Sequence, residues 1–543
     1  MTVREIATTA YSDQKPGTAG LRKKVRVFAQ PHYLENFVQS IFDCVPTLRG
    51  ATLVIGGDGR YHNREAIQTV LAMAAANGVA RAVVGQHGLL STPAASHLIR
   101  TLDAAGGFLL TASHNPAGPD GDFGIKFNVK GGGQASETLT RQIHAQSQHI
   151  HRYVISDAAA IDIDTLGSHT VEAMQVEIID SVEAYAELMQ SLFDFEAMRA
   201  WLRQGHRICF DAMHAVTGPY ARRILVEQLG ARAEAVLGGV PLEDFGGGHP
   251  DPNLVYARHL ADLAFGDDAP DLIAASDGDG DRNMILGRGI FISPGDSLAM
   301  LAAHLHRLPG YRSGLRGIAR SMPTSRAADR VAQALNIPLH ETPTGWKFFC
   351  NLLDADQITL CGEESFGTSS AHAREKDGLW AVLAWLNVLA ASGSSVQQIA
   401  TRHWQRFGRH YYQRHDYEDL SHEAAQAIMH QLQTRLPTLV GQSLGAWTVS
   451  QADSFTYHDP VDGSVAGDQG LRIICADEAR IVVRLSGTGT QGATLRLYLE
   501  RYVSPQGDLA QTPEAALAEL AARARDICQL EALSGRTAPT LVT

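Results

Sequence analysis

Residues 107–116 read Gly-Phe-Leu-Leu-Thr-Ala-Ser-His-Asn-Pro. The apolar run Gly107-Phe108-Leu109-Leu110 has the length and character of a buried strand, and Thr111 to Pro116 follow at its end. Ser113 therefore stands just beyond the edge of a predicted strand, where open α/β sheets bind their ligands. A serine hydroxyl needs a base, a metal or an anion hole to act as a nucleophile, so partners of those kinds are expected elsewhere in the chain. The loop itself is expected to be exposed.

The same grammar, an apolar strand, a Gly-rich or polar loop and then an amphipathic helix, recurs along the chain. Thr52-Leu53-Val54-Ile55 runs into Gly-Gly-Asp-Gly-Arg60, then a helix from about Glu65. Arg207 to Phe210 runs into Asp211-Ala212-Met213-His214 and a helix through Tyr220 to Leu229. Gly317 to Ala319 runs into Arg320 to Ser325 and a helix from about Ala327. This recurrence predicts α/β units with parallel strands. After Ala391-Ser-Gly-Ser-Ser395 the pattern changes to a long helical stretch rich in His, Gln and Arg. Strands at Leu471–Cys475, Arg480–Leu485 and Thr494–Leu499 and a helix over Pro513–Leu530 then read as a smaller α+β domain. The division expected is 1–180, 181–302, 303–400 and 401–543.

With 543 residues, 45% hydrophobic and 19% charged, the chain has the make-up of a globular enzyme of roughly three to five domains. A formal charge of −12 argues against nonspecific binding to nucleic acid or to an anionic membrane. An anionic substrate then requires local basic groups. The six cysteines are scattered with no CxxC pair, as in a reduced cytosolic protein. The N-terminus lacks the apolar core of a signal peptide, and the apolar stretch Leu379–Ala391 is too short to span a bilayer.

Asp277-Gly-Asp279-Gly-Asp281-Arg282 follows the predicted strand Asp271–Ser276. Three alternating carboxylates can converge on one hard cation, with no His or Cys to favour zinc or copper. An EF-hand fails on position, because Arg282 stands where its glycine belongs and Arg288 where its last acid belongs. A solvated acidic turn is the alternative, weakened by the repulsion among three close acids. In Arg484-Leu-Ser486-Gly487-Thr488-Gly489-Thr490 the backbone N–H groups and hydroxyls suit an anion nest backed by an arginine, or else a hairpin turn. Thr18-Ala-Gly20-Leu-Arg22 has weaker chemistry of the same kind. Gly362-Glu363-Glu364-Ser365-Phe366-Gly367 offers groups for sugar hydroxyls, with Lys376 for a phosphate, or equally a cap and turn. Lys126 reads as a general acid/base beside Ser113 or as a surface charge. His114 reads as a proton carrier or a loop cap. Thr344-Gly345-Trp346-Lys347 reads as a sugar or phosphate contact, with Trp346 assigned to the core.

Taken together, these residues resemble the α-D-phosphohexomutase superfamily, and most closely its phosphoglucomutase branch. The likeness runs through DQKPGTAGLRKKV (13–25), GGDGR (56–60), TASHNP (111–116), GDFGIKFN (121–128), PLEDFGGGHPDPNL (241–254), DGDGDRNMILG (277–287), ETPTGWKFF (341–349), CGEESFG (361–367), REKDGLWAVLAWL (374–386), RLSGTGT (484–490) and GRTAPT (535–540). The resemblance implies an α/β fold: three related α/β domains with mixed sheets plus a smaller C-terminal α+β domain around a central cleft. It implies a phosphoserine at Ser113, with His114 and Lys126 catalytic, and Mg2+ on Asp277, Asp279, Asp281 and a phosphoserine oxygen. Glu363 and Ser365 match the sugar-reading loop. Arg22, Arg282, Thr344 and Lys376 match substrate contacts, and Arg484, Ser486, Gly487 and Thr488 the distal phosphate site. Thr18, Gly345 and Arg496 complete the expected substrate-binding set. The implied reaction interconverts α-D-glucose 1-phosphate and glucose 6-phosphate through glucose 1,6-bisphosphate, in a cytoplasmic monomer or weak dimer.

The alternatives are a mannose or glucosamine phosphate preference, or a non-catalytic phosphoprotein on the same scaffold. Ser369, Ala371 and Ala373 stand where the branch has Gly, Asp and Ile, Ala19 where Ser is common, and Arg326 where Gly is common. These departures bear on substrate preference and touch none of the groups assigned to chemistry.

Overall fold

The computed structural model describes residues 3–17, 20–476, 478–486 and 492–543. Two compact units emerge: Met1–Phe291 with His304–Gly314 and Ser365–Val396, and Ile292–Ala303 with Leu315–Glu364 and Gln397–Thr543.

The first unit is built on two mixed sheets. In the first, β1 (Leu21–Lys24), β2 (Thr52–Gly57), β3 (Arg81–Leu89), β4 (Gly106–Leu110), β5 (Asp122–Val129), β6 (Gly167–Val171) and β7 (Met174–Ile179) lie in the order β1-β5-β4-β2-β3-β7-β6. The strands β4, β2, β3 and β7 are parallel neighbours, while β1, β5 and β6 pair antiparallel. β4 is buried along its whole length, as an apolar run in the middle of a covered sheet should be. Helices α1 (Tyr33–Cys44) and α2 (Asn63–Ala76) send Phe37, Ile41, Ile67 and Val70 against Leu53, Ile55, Phe108 and Leu110 of the sheet. Helix α3 (Thr92–Thr101) starts where Ser91 accepts the Ala94 N–H, with Pro93 in its first turn, a strong start signal.

The second sheet contains β8 (Ile208–Asp211), β9 (Val236–Leu237), β10 (Leu272–Ser276) and β11 (Asn283–Gly287), ordered β9-β8-β10-β11. β8 runs parallel to β9 and β10, and β11 returns antiparallel. The expected helix through Tyr220 to Leu229 is instead a short α-helix, Thr217–Ala221, continued by a π-helical stretch, Arg222–Gln228. The wider turn is visible in the bond from Leu229 N–H to the Ile224 carbonyl.

In the second unit β12 (Ile318–Ser321) lies parallel between β13 (Leu339–Thr342) and β14 (Leu360–Glu363). The C-terminal sheet is antiparallel, with Arg409–Leu420 paired along Ala493–Val503. Helices His422–Leu439 and Pro513–Cys528 supply Ile428, Leu432, Leu517 and Leu520 to its core. The helical stretch read after Ser395 therefore ends at Phe407. Gly408, at φ 80°, turns the chain, and the polar run that follows is a twelve-residue strand. Three α/β domains with mixed sheets and a smaller C-terminal domain account for these elements. None of the six cysteines is joined in a disulfide. Among the described residues no single helix is long and apolar enough to cross a membrane.

Asp296 is buried in the second unit and accepts a bond from Trp404 Nε1 at 3.3 Å. Burial pushes its carboxyl up to about 6, with Arg409 and the Trp404 bond opposing. A carboxyl raised on folding stabilises the protein below its unfolded value near 3.9, and that contribution is lost as pH rises through about 6. Asp296→Asn removes this titration. In calorimetric melts its Tm relative to wild type should therefore climb between pH 4 and 7 and level off above. A difference independent of pH would contradict the assignment.

Candidate active site

Ser113 stands three residues beyond β4 with φ 54°, a left-handed conformation that costs a non-glycine residue roughly 1–2 kcal/mol. Its neighbours hold it there. The Ser113 N–H donates to Thr111 Oγ1 at 2.7 Å, and that hydroxyl donates to Asp58 Oδ2 at 2.5 Å. Arg60 donates Nη2 to the Ser113 carbonyl at 2.7 Å and Nη1 to the Asp122 carbonyl at 2.8 Å, while its Nε binds Asp58. The Asp58 and Arg60 side chains are 0% exposed and follow β2, the parallel neighbour of β4. Burial pushes the Asp58 carboxyl up despite Arg60 and the Thr111 bond. The expectation of an exposed loop is corrected here: Ser113 is 2% exposed, because the loop is tied down by buried charges that its own sequence does not contain.

The acidic loop joins β10 to β11. Asp277, Asp279 and Asp281 are all buried, each offering an oxygen within 4.8 Å of the others. Asp277 Oδ1 accepts the N–H groups of Asp281 and Arg282, and Oδ2 accepts Ser113 Oγ at 2.7 Å. A Cβ on Gly278 would stand 2.3 Å from the Ser113 carbonyl, so only glycine lets the two loops meet. Asp279 Oδ2 accepts Thr92 Oγ1 at 2.7 Å and pairs with Lys126 Nζ at 3.2 Å. Asp281 Oδ2 pairs with Lys376 Nζ at 3.1 Å. Asp279 Oδ1 and Asp281 Oδ1 are buried with no hydrogen-bond partner. Unsatisfied buried carboxylate oxygens are costly, and an all-oxygen set of this kind fits a hard divalent cation.

Cations surround the acids. Lys126 lies on β5, 3% exposed, with Glu375 Oε1 4.0 Å away. Asn128 and Gln134 each donate to that carboxylate at 3.0 Å. Burial works to lower the Lys126 ammonium, but Glu375, Asp279 and Asp281 outweigh it and hold the group above its ordinary range. Burial also acts to raise Asp279, but Lys126, the Thr92 bond, Lys376 and Arg22 hold it below the ordinary carboxylate range. Asp277 is pushed well up by burial and by Asp281 and Asp279. Arg22 lies on β1 opposite Gly124 of β5. Arg282 pairs with Asp251 at 3.0 Å. His114 Nδ1 is 3.5 Å from Ser113 Oγ. Burial, reinforced by Arg282, Arg22, His249 and Lys376, holds that imidazole well below its ordinary value and so neutral.

The chain passes between the units after Glu364, so Glu363 belongs to the second and half-buried Ser365 to the first. In the second unit Glu363 Oε1 accepts the Gly345 N–H at 2.9 Å, and Gly345 takes φ 129°. Thr344 Oγ1 is buried without a hydrogen-bond partner. Trp346 is 2% exposed and packs edge-on against Phe349, in the core as expected. Arg484 donates to the Gln469 carbonyl at 3.1 Å. It stands directly across the ladder from Arg496, a like-charge placement that is unfavourable in itself. Asp416, 3.3 Å from Arg496 Nε, offsets one of the two charges. Ser486 ends its strand opposite Thr494. Thr18, Gly487 and Thr488 lie outside the described residues. Asp58, Arg60, Thr92 and Glu375 carry no role in the motif reading. Gly-Gly-Asp-Gly-Arg after an apolar strand was the available signal for the first two, and nothing local marks the others.

Family models match the whole architecture: phosphoglucomutase/phosphomannomutase α/β/α domain I over residues 13–154, domain II over 183–289 and domain III over 294–407, and the phosphoglucomutase-1 C-terminal domain over 409–540. A phosphoglucomutase of Rhizobium radiobacter is 55% identical over 541 residues, covering 100% of both chains. A cytoplasmic phosphoglucomutase of Pisum sativum is 48% identical, covering 100% of this chain and 99% of its own. The open-form crystal structure of the exocytosis-sensitive phosphoprotein pp63/parafusin, a phosphoglucomutase from Paramecium, superposes with a TM-score of 0.92. It is 46% identical, covering 100% of this chain and 99% of that one. The domain set defines a phosphohexomutase scaffold. Within it the chain belongs to the phosphoglucomutase family, mutases of the isomerase class that act on small hexose phosphates.

Breaking a buried ion pair from one side strands the other charge and costs about 3–5 kcal/mol. Asp58→Asn should therefore lower unfolding stability by about that amount, read from the denaturant midpoint. An unchanged midpoint would show that Arg60 is satisfied by the loop carbonyls alone.

Proposed function

We propose that the protein interconverts α-D-glucose 1-phosphate and glucose 6-phosphate through a phosphorylated Ser113 and a glucose 1,6-bisphosphate intermediate. The observation that carries this reading is Ser113 Oγ bonded to Asp277 in a loop with two unpartnered carboxylate oxygens and a buried ammonium alongside. Asp277, Asp279, Asp281 and a phosphoryl oxygen on Ser113 are the groups that would hold Mg2+, which supplies positive charge against the transferring phosphoryl group.

The chain's own residues do the rest. In the first half-reaction the bond from phosphorus to Ser113 Oγ breaks as the bond to sugar O6 forms. Lys126, held protonated, delivers its proton to Ser113 Oγ, and neutral His114 takes the proton from the incoming hydroxyl. In the second half-reaction the phosphoryl group on O1 returns to Ser113. His114 then returns its proton to O1 and Lys126 recovers one from the serine, so both groups end as they began. Arg22, Arg282 and Lys376 hold phosphate oxygens, and Thr18 belongs to the same substrate-binding set. In the second unit Glu363, Thr344 and Gly345, with Ser365 next along the chain, read the sugar hydroxyls. Arg484, Ser486, Gly487, Thr488 and Arg496 bind the phosphate that is not reacting. Domains 1–180, 181–302, 303–400 and 401–543 carry, in that order, the phosphoserine, the metal loop, the sugar loop and the distal phosphate site. The protein works as a monomer or weak dimer in the cytoplasm, the location named for the pea relative.

A coupled assay for glucose 6-phosphate tests this reading. Traces of the 1,6-bisphosphate should activate the enzyme by keeping Ser113 phosphorylated, Ser113→Ala should abolish turnover, and Asp279→Asn should lower the rate and weaken its Mg2+ dependence together. Turnover by Ser113→Ala, or a clear preference for mannose 1-phosphate, would overturn it.

A further inference from the structure

Asp279 divides its two oxygens. Oδ2 is occupied twice, by the Thr92 hydroxyl at 2.7 Å and by the Lys126 ammonium at 3.2 Å, while Oδ1 is buried and unpartnered. Thr92 opens α3, and its backbone N–H donates to the Asp279 carbonyl at 2.9 Å, so one residue grips both main chain and side chain of the acid. The fit around that grip is tight. Gly280, at φ 82°, leaves no room for a side chain, since a Cβ there would lie 2.9 Å from Thr217 Cγ2 and 3.3 Å from Ser91 Cβ. Ser91 in turn caps α3 through the Ala94 N–H and donates its own N–H to the Tyr220 hydroxyl at 3.3 Å.

We propose that Thr92 is a positioning residue for the metal loop: by holding Oδ2 of Asp279 it presents Oδ1 alone to the cation. The inference rests on the reading of Asp277, Asp279 and Asp281 as cation ligands and goes beyond it, because it names what selects the ligating oxygen. Of the two groups on Oδ2, the ammonium is the one the chemistry draws away, since Lys126 must turn toward the reacting oxygens to exchange a proton. The threonine hydroxyl has no such second task. It remains on Oδ2 when Lys126 leaves and keeps the carboxylate from swinging after it or from closing on the cation through both oxygens. Hydrogen bonds of this kind behind a ligand typically change metal affinity by about 10- to 100-fold.

The test measures Mg2+ binding to the full chain by titration calorimetry, together with the Mg2+-dependent rise in Tm, for wild type, Thr92→Val, Thr92→Ser and Asp279→Asn. Thr92→Val keeps the shape and removes the donor, and is expected to weaken binding by about 10- to 100-fold. Thr92→Ser keeps the donor and is expected to bind nearly as wild type. In the coupled assay the Mg2+ concentration for half-maximal rate should rise in Thr92→Val by more than kcat at saturating Mg2+ falls. A packing role would produce the reverse. Wild-type affinity in Thr92→Val overturns the inference. Absence of saturable Mg2+ binding in the wild type, or unchanged binding in Asp279→Asn, instead overturns the ligand reading beneath it. Thr92→Ala repeats the measurement if the valine variant does not fold. If neither folds while Thr92→Ser does, the hydroxyl serves stability rather than the cation, and the inference falls.

Discussion

The buried contact between Arg60 and the Ser113 carbonyl is the constraint on which the serine loop of the first unit depends. The guanidinium spans two loops that the sheet places side by side. It bonds the carbonyls of Ser113 and Asp122 and takes its countercharge from Asp58. Removing both charges from water is expensive, and the upward push on the Asp58 carboxyl is the mark of that expense. What the pair secures is a serine in a left-handed conformation, which an unsupported loop would relax. The parallel register of β2 against β4 makes this possible, since Gly57 pairs with Leu110 and the two loops leave the sheet at the same level.

A second constraint is electrostatic. Three buried aspartates within 4.8 Å cannot all ionise at ordinary cost. The structure distributes the burden unequally: Asp279 faces Lys126 and is held low, while Asp277 is pushed up and accepts the serine hydroxyl. Lys126 and Lys376 serve as countercharges to the acids, pairing with Asp279 and Asp281. A cation on the unpartnered oxygens of Asp279 and Asp281, as proposed, would relieve them of that service. Both ammonium groups would then be available to phosphate, in keeping with the substrate contact proposed for Lys376 and the proton transfer proposed for Lys126.

Much of this was legible from the residues. The apolar runs at 107–110 and 272–276 mark strands, and the loops after them carry the serine and the acids, because such strands announce themselves by composition alone. The strand Arg409–Leu420 did not. Its buried positions include His410, Gln413, Arg414 and Asp416, held by contacts such as the ion pair of Arg414 with Asp416 at 2.9 Å, so hydrophobic periodicity has nothing to register. Arg60, Thr92 and Glu375 escaped for a related reason. Their importance lies in partners 53, 187 and 247 residues away, and a charged or hydroxyl side chain reads locally as surface.

The departures from the family pattern also acquire a physical reading. Around Ala371 the segment is held by its backbone: Arg374 Nη1 donates to the Ala371 carbonyl at 3.0 Å and Arg100 Nη1 to the His372 carbonyl at 3.0 Å. Ser370 and His372 provide the side-chain anchorage. Ser370 bonds Tyr311, and His372 bridges Ser370 at 2.7 Å to Asp377 at 2.9 Å. A carboxylate at 371 is therefore not needed to fix the segment that carries Glu375 and Lys376. Arg326 departs in the opposite direction, adding a side chain where glycine is common. Its Nε pairs with Glu500 and its Nη2 bonds the Glu478 carbonyl, so the β12-to-helix loop of the third domain is fastened to the C-terminal sheet. One substitution removes a charge whose structural work the backbone performs, and the other adds a charge where a buried glutamate can accept it. Neither position is among the groups proposed for the chemistry.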